Sequence, residues 1–129
     1  MVGSVGRHDG RIVWVTGAGS GIGLATAHRL LDQGASVVVT DANTDALAWT
    51  EDYSRAVAVP GDVTDEAVNE TAAAAAGERF GGLDAAVLNA GMSQRGDLAT
   101  LPMEKFDRTF DVNVRAVVLG IRACIAPMR

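Results

Sequence analysis

Four short apolar runs alternate with four longer helical ones, and this alternation limits the fold more than any other feature of the chain. Residues 11–16 (RIVWVT), 36–40 (SVVVT), 55–59 (RAVAV) and 83–88 (LDAAVL) read as strands. The first is continuously apolar, as a strand covered on both faces should be. Ile22, Ala25, Leu30 and Leu31 open the first helical segment, which Gly34 closes as a C′ residue. Residues 43–54 form a second helix, with Asn43 or Thr44 as its N-cap. Thr64 caps a third, and Asp65 and Glu66 suit the positive end of its dipole. The alanine run 72–76 extends that helix, and Gly81 with Gly82 ends it. In the last segment, 103–126, Met103, Phe106, Phe110, Val114, Val117, Ile121 and Ile125 recur at spacings of three or four, a sustained apolar stripe.

This order implies a doubly wound α/β architecture: a parallel sheet with helices on both faces and right-handed crossovers. The expected strand order is 3-2-1-4, with ligands beyond the C-terminal ends of strands 1 and 4. The polar loops 16–23 and 89–97 fall there.

With 129 residues, 48% of them hydrophobic and 21% charged, the chain suits one modest domain with a packed core. The domain is expected over 11–129, after a flexible tail, 1–10, that lacks the apolar centre of a signal peptide. A net charge of -5 and the lack of any Lys/Arg cluster argue against nucleic acid and anionic membrane as partners. No apolar run approaches the roughly 20 residues that span a bilayer. Cys124, the only cysteine, has no partner for an internal disulfide, which fits a cytoplasmic location. No metal site is expected.

The loop Thr16-Gly17-Ala18-Gly19-Ser20-Gly21-Ile22-Gly23 joins the first strand to the first helix. A nucleoside-triphosphate loop needs a lysine, and the chain's single lysine is Lys105. The G-x-G-x-x-G pattern fails in both registers, because Ile22 and Leu24 stand where its third glycine belongs. The remaining pattern is T-G-x-x-x-G-I-G. Its glycines permit a tight turn, and backbone N–H groups at a helix N-terminus suit a pyrophosphate. A strand–helix turn packed for structural reasons alone is the other reading. Asp41 ends the second strand, where a carboxylate accepts hydrogen bonds from a ribose diol and repels a 2′-phosphate. A turn residue that caps the next segment is the lesser reading. Loop and acid together point to NAD.

These residues resemble the short-chain dehydrogenase/reductase family, a Rossmann-like family, and the likeness covers nearly everything after the tail. The loop 16–23 matches the family's cofactor loop, including Gly17, Gly19, Ser20, Gly21, Ile22 and Gly23. Asp41 matches the acid of NAD-preferring members. Asp62-Val63 matches the pair that meets the adenine ring, and Asn89-Ala90-Gly91 the element that supports the sheet and lies along the cofactor. The segment FDVNV, 110–114, resembles the one bearing a catalytic asparagine, which would be Asn113. Beside the apolar stripe, a buried amide at that position needs partners.

The resemblance implies NAD-dependent hydride transfer between an alcohol and a ketone or aldehyde, with a small-molecule substrate whose pocket includes loop 92–98. In the family a tyrosine is the acid/base, a lysine four positions later lowers its pKa, a serine polarises the substrate, and the asparagine helps hold a water. This chain's only tyrosine, Tyr53, and only lysine, Lys105, cannot make that pair. The chain is expected to be cut off before a fifth strand, with the serine and Tyr-x-x-x-Lys missing. A non-enzymatic NAD-binding or interaction module is the alternative. The resemblance also implies a homo-oligomer formed through the 103–126 helix, and the exposed edge of strand 4 argues against a stable monomer.

Overall fold

The structure, a computed structural model, describes residues 5–129. Its strands are β1 (Ile12–Thr16), β2 (Ser36–Thr40), β3 (Ala56–Ala58) and β4 (Ala85–Val87). Its α-helices are α1 (Gly21–Asp32), α2 (Glu66–Phe80), α3 (Met103–Phe110) and α4 (Ala116–Ile125). The strands are parallel and lie in the order β3-β2-β1-β4. This is the doubly wound α/β arrangement expected from the alternation.

The register explains why the strands are apolar throughout. Trp14 lies opposite Val38 on one side and Ala86 on the other, and Val38 lies opposite Val57. This row packs with Ala72 and Ala76 of α2, and with Leu83 and Cys124. The neighbouring residues Val13, Val15, Val37 and Val39 point to the opposite face, where Ala27 and Leu31 of α1 cover them. Successive strand side chains alternate between faces, and here both faces are dry. Trp14 is fully buried, and its Nε1 donates to Thr40 Oγ1 at 3.0 Å, so its one polar atom is satisfied.

Four local readings change. The segment expected as a helix over 43–54 is a 3-10 helix, Thr44–Asp52. Its buried residues, Leu47 and Thr50, are three apart, the spacing that eclipses in a 3-10 helix. Asn43 caps it as expected, its side chain accepting from Ala46 N. The cap of α2 is Asp65, whose Oδ1 accepts from Ala67 N at 3.0 Å, while Thr64 turns back onto Asp62. The stretch expected as a loose tail is held from residue 7 onward: Arg7 N donates to Gln33 Oε1, His8 N to Gln33 O, and Gly10 N to Gly34 O. The part of that tail over 1–4 lies outside the described residues.

The fourth change concerns the last helical segment. Between α3 and α4 the helix widens into a π-turn, Asp111–Arg115. The stripe legible in the sequence, apart from the half-buried Val117, points away from the sheet, with Met103, Phe106, Phe110, Val114, Ile121 and Ile125 between 41% and 61% exposed. The face that packs inward carries Val112, Ala116, Leu119, Gly120 and Cys124. Small residues are needed there because α4 lies close to the sheet: a Cβ on Gly120 would stand 2.9 Å from Leu88 Cδ2. β4 is a sheet edge, as expected. Beside it Ala86 and Leu88 border a hollow of about 250 Å3 with Ile121, Cys124, Ile125 and Met128.

Candidate nucleotide-binding site

The sheet order places the ends of β1 and β4 side by side, and the crevice of a doubly wound sheet opens where its winding reverses. The chain leaves β1 through Gly17, φ +66°, and enters α1 at Gly21, φ +53°. Both angles lie in the left-handed region that glycine adopts without strain. A Cβ on Gly17 would stand 3.0 Å from Asn89 Nδ2, and one on Gly23 would collide with the Gly17 carbonyl oxygen. The turn therefore packs against α1 as closely as backbone allows. Ser20 is the N-cap of α1, its side chain makes no capping bond, and the first turn holds no acidic residue. The positive end of the α1 dipole thus borders the crevice without an internal counter-charge.

Asp41 follows β2. Its Oδ2 accepts from Gly19 N at 2.9 Å and its Oδ1 from Asn43 N at 2.9 Å. A Cβ on Gly19 would stand 2.8 Å from that Oδ2, so Gly19 is small because the carboxylate rests on it. Asp62 follows β3. Its Oδ1 accepts from Thr64 N at 2.9 Å and from Thr64 Oγ1 at 2.7 Å, and its Oδ2 pairs with Arg108 Nη2 at 2.7 Å. Burial raises the Asp62 pKa, but the hydrogen bonds from Thr64 and Arg108 and the guanidinium charge outweigh it, leaving the carboxyl below 3.8.

Beyond β4, Asn89 Nδ2 donates to Thr16 O at 3.3 Å, and Ala90 N donates to Thr16 Oγ1 at 3.0 Å. These two bonds join the ends of the central strands. Asn113 sits in the π-turn, where an extra residue per turn changes the direction of its side chain. Its amide is exposed, not buried, yet engaged at both ends: Oδ1 accepts from Met92 N at 2.8 Å and Nδ2 donates to Met92 O at 2.7 Å.

Together these elements enclose a cavity of about 600 Å3, within the range of small-molecule sites. Among the residues singled out by sequence, Gly17, Ser20, Gly21, Ile22, Asp41, Asp62, Val63, Asn89, Ala90 and Gly91 line it. Gly19 and Gly23 stand behind that wall, and Asn113 reaches it through Met92. Sequence reasoning missed Arg108 and Val112, which also line the cavity. Val112 was legible as the neighbour of Asn113; no spacing pairs Arg108 with Asp62 ahead of the fold. Tyr53 lies elsewhere, its Oη 3.5 Å from His28 Nδ1 and its ring edge-on to Trp49.

Comparison with known proteins agrees with this geometry. The profile of the family described as short chain dehydrogenase matches residues 11–129. A 2-(R)-hydroxypropyl-CoM dehydrogenase of Xanthobacter autotrophicus is 40% identical over 127 residues, covering 92% of this chain and 51% of that protein. A 3-ketoacyl-(acyl-carrier-protein) reductase from Brucella melitensis, solved with NADH, superposes with a TM-score of 0.87 at 36% identity, over 92% of this chain and 50% of that one. A short chain dehydrogenase from Burkholderia cenocepacia, solved with NADP, gives 0.85 at 36% identity, over 95% and 52%. The chain spans about half the length of the curated relatives it matches. With its strand order, its glycine turn and a match from residue 11 to residue 129, the chain belongs to the short chain dehydrogenase family.

Proposed function

We propose that these residues form the nicotinamide-dinucleotide-binding part of an oxidoreductase that interconverts an alcohol and a ketone or aldehyde, with NAD preferred over NADP. The observation that carries the reading is the convergence of a glycine turn, the N-terminus of α1 and the carboxylates of Asp41 and Asp62 on one cavity. The cavity fits such a group chemically. Gly17 and Gly21 leave backbone N–H groups open to a pyrophosphate, and nothing lies within 4 Å of where a Gly21 Cβ would stand. Asp41 is set to accept the hydroxyls of the adenosine ribose and to repel a phosphate there. Asp62 and Val63 form the adenine end, and Asn89, Ala90 and Gly91 the wall toward the reacting end. Ser20 and Ile22 edge the pyrophosphate, and Gly19 and Gly23 hold the turn in shape.

When bound, the nicotinamide supplies or accepts the hydride. Asn113, as the family's asparagine, would hold the Met92 segment and so the wall near the reacting carbon. The relatives solved with NADH and NADP support a nicotinamide coenzyme in general; Asp41 supports the narrower choice. Among the described residues no helix is long and apolar enough to cross a membrane. The cytoplasmic reading rests on the free thiol of Cys124, which burial raises in pKa and so keeps unreactive.

Tyr53 lies against His28 and Trp49, away from the cavity, and this favours a second reading for these 129 residues alone: they bind the dinucleotide without completing the transfer. Self-association through the exposed apolar face of α3 and α4 belongs to the proposal as well. Titration of NADH and NADPH by calorimetry tests it. Binding of NADH with weaker binding of NADPH is expected, and no binding of either overturns it.

A further inference from the structure

Neither the glycine turn nor Asp41 accounts for Arg108, which pairs with Asp62. It stands on α3, a helix that buries none of its own side chains. Its guanidinium bridges two side chains of the segment after β3: Nη2 meets Asp62 Oδ2 at 2.7 Å, and Nη1 donates to Thr64 Oγ1 at 3.2 Å. Thr64 Oγ1 in turn donates to Asp62 Oδ1 at 2.7 Å, and Thr64 N donates to the same oxygen at 2.9 Å. Arg108, Asp62 and Thr64 therefore form a closed ring of hydrogen bonds at the edge of the cavity, and both Arg108 and Asp62 line that cavity.

The ring has a consequence for what Asp62 can accept. An ionised carboxylate offers about four lone-pair sites, two on each oxygen. Thr64 takes both on Oδ1, and Arg108 takes one on Oδ2. The remaining site lies on Oδ2, at a direction fixed by the other three bonds. A planar, forked donor suits this task, because it restrains two acceptors at once, whereas an ammonium group restrains one point.

We propose that Arg108 is a nucleotide-positioning residue: by fixing Asp62, it aims one carboxylate lone pair at the exocyclic amino group of a bound adenine. The inference rests on the reading of the cavity as a dinucleotide site. It makes the adenine end selective for a 6-amino purine over a 6-oxo purine, which cannot donate at that position. Arg108 also ties α3 to the floor of the site, so α3 keeps its place at the rim.

The test compares NADH with its 6-deamino analogue, nicotinamide hypoxanthine dinucleotide in reduced form, by fluorescence titration of the unmodified chain and of Arg108→Ala. The unmodified chain is expected to bind NADH about tenfold more tightly than the deamino analogue, the loss of one charge-assisted hydrogen bond. Arg108→Ala is expected to bind both alike, with the loss falling on NADH. An Arg108→Ala chain that loses affinity for both equally and keeps the ratio overturns the inference, since a purely structural role would act that way. If Arg108→Ala fails to fold, Arg108→Gln keeps most of the stem and carries the same comparison. An unmodified chain that binds neither ligand overturns the dinucleotide site itself, a result distinct from a ratio that Arg108 does not govern.

Discussion

Asn113 holds Met92 by both ends of its peptide: Oδ1 accepts from Met92 N at 2.8 Å while Nδ2 donates to Met92 O at 2.7 Å. A strand-like pair of bonds thus runs between a helix side chain and a loop backbone, placed by the π-turn. Asn113→Ala is expected to lower stability by about 1 kcal/mol, because the released groups reach water. NADH affinity is expected to fall several-fold as the 89–92 wall loosens. Thermal unfolding and NADH titration measure both; Asn113→Asp, which sets a second acceptor oxygen against the Met92 carbonyl in place of the donor, is expected to lose at least as much as alanine.

Asp41 rests on Gly19 and faces the cavity. Asp41→Ala is expected to weaken NADH binding and raise NADPH binding, shrinking the preference by about tenfold, the scale of one hydrogen bond to a charged group. Parallel titrations with the two coenzymes give the ratio. An unchanged ratio removes Asp41 from coenzyme choice.

Two glycine-to-alanine changes are expected to have opposite signs. Gly23→Ala drives a Cβ into the Gly17 carbonyl and is expected to cost about 3 kcal/mol or more and abolish NADH binding. Gly77→Ala lies inside α2 with nothing within 4 Å of its Cβ position, and is expected to gain about 0.5–1 kcal/mol. Urea unfolding of the two variants checks both signs.

The Asp62 carboxyl is held below its usual value, so it contributes stability that is complete above the unfolded value of about 4 and is lost as pH falls through the folded value. The gap in urea midpoint between the unmodified chain and Asp62→Asn is expected to be widest above the unfolded value of about 4 and to close as the pH falls below it through the depressed folded value. Arg108→Ala is expected to shift the closing of that gap to higher pH, because it removes one of the two residues that depress the carboxyl and leaves the bonds from Thr64.

The outward stripe of α3 and α4 makes a further prediction. Phe106 and Phe110 stack at 4.8 Å between ring centres on an exposed face, and Ile121 and Ile125 continue it. Contiguous exposed apolar surface of this kind marks an association site. Phe110→Glu and Ile121→Glu are each expected to lower the mass seen by light scattering at a given concentration without lowering NADH affinity.

Much of the architecture follows from residues whose local signals agree with their global setting. The two-faced burial of Val13, Trp14 and Val15 follows a repeated pattern, the glycines 17 to 23 crowd one short turn, and the acids Asp41 and Asp62 stand just beyond the ends of β2 and β3. What escaped the sequence depends on distant packing. Gly120 and Cys124, not the bulkier stripe, face the sheet because α4 must approach Leu88, and no periodicity reports that distance. Asn69, one of the largest fully buried side chains, stands amid the alanines of α2 because its Nδ2 holds the carbonyls of Val63 and Asp65 at 2.8 and 3.0 Å. That bond pattern depends on how the segment after β3 turns, which composition does not reveal. Arg108 escaped for the same reason: its partners are 44 and 46 residues away.

The stitching of Thr16 to Asn89 and Ala90 has a broader meaning. It locks the two central strand ends into a single anvil, while among the described residues the hydrogen bonds of 93–101 run within that segment, from Ala99 and Thr100 to Asp97. The segment from 93 to 101 is thereby mechanically separate from the anvil, so a change in its length or chemistry leaves the hydrogen bonds of the anvil in place. Such a layout makes the joined strand ends a chassis, on which the segment 93–101 is an independent fitting.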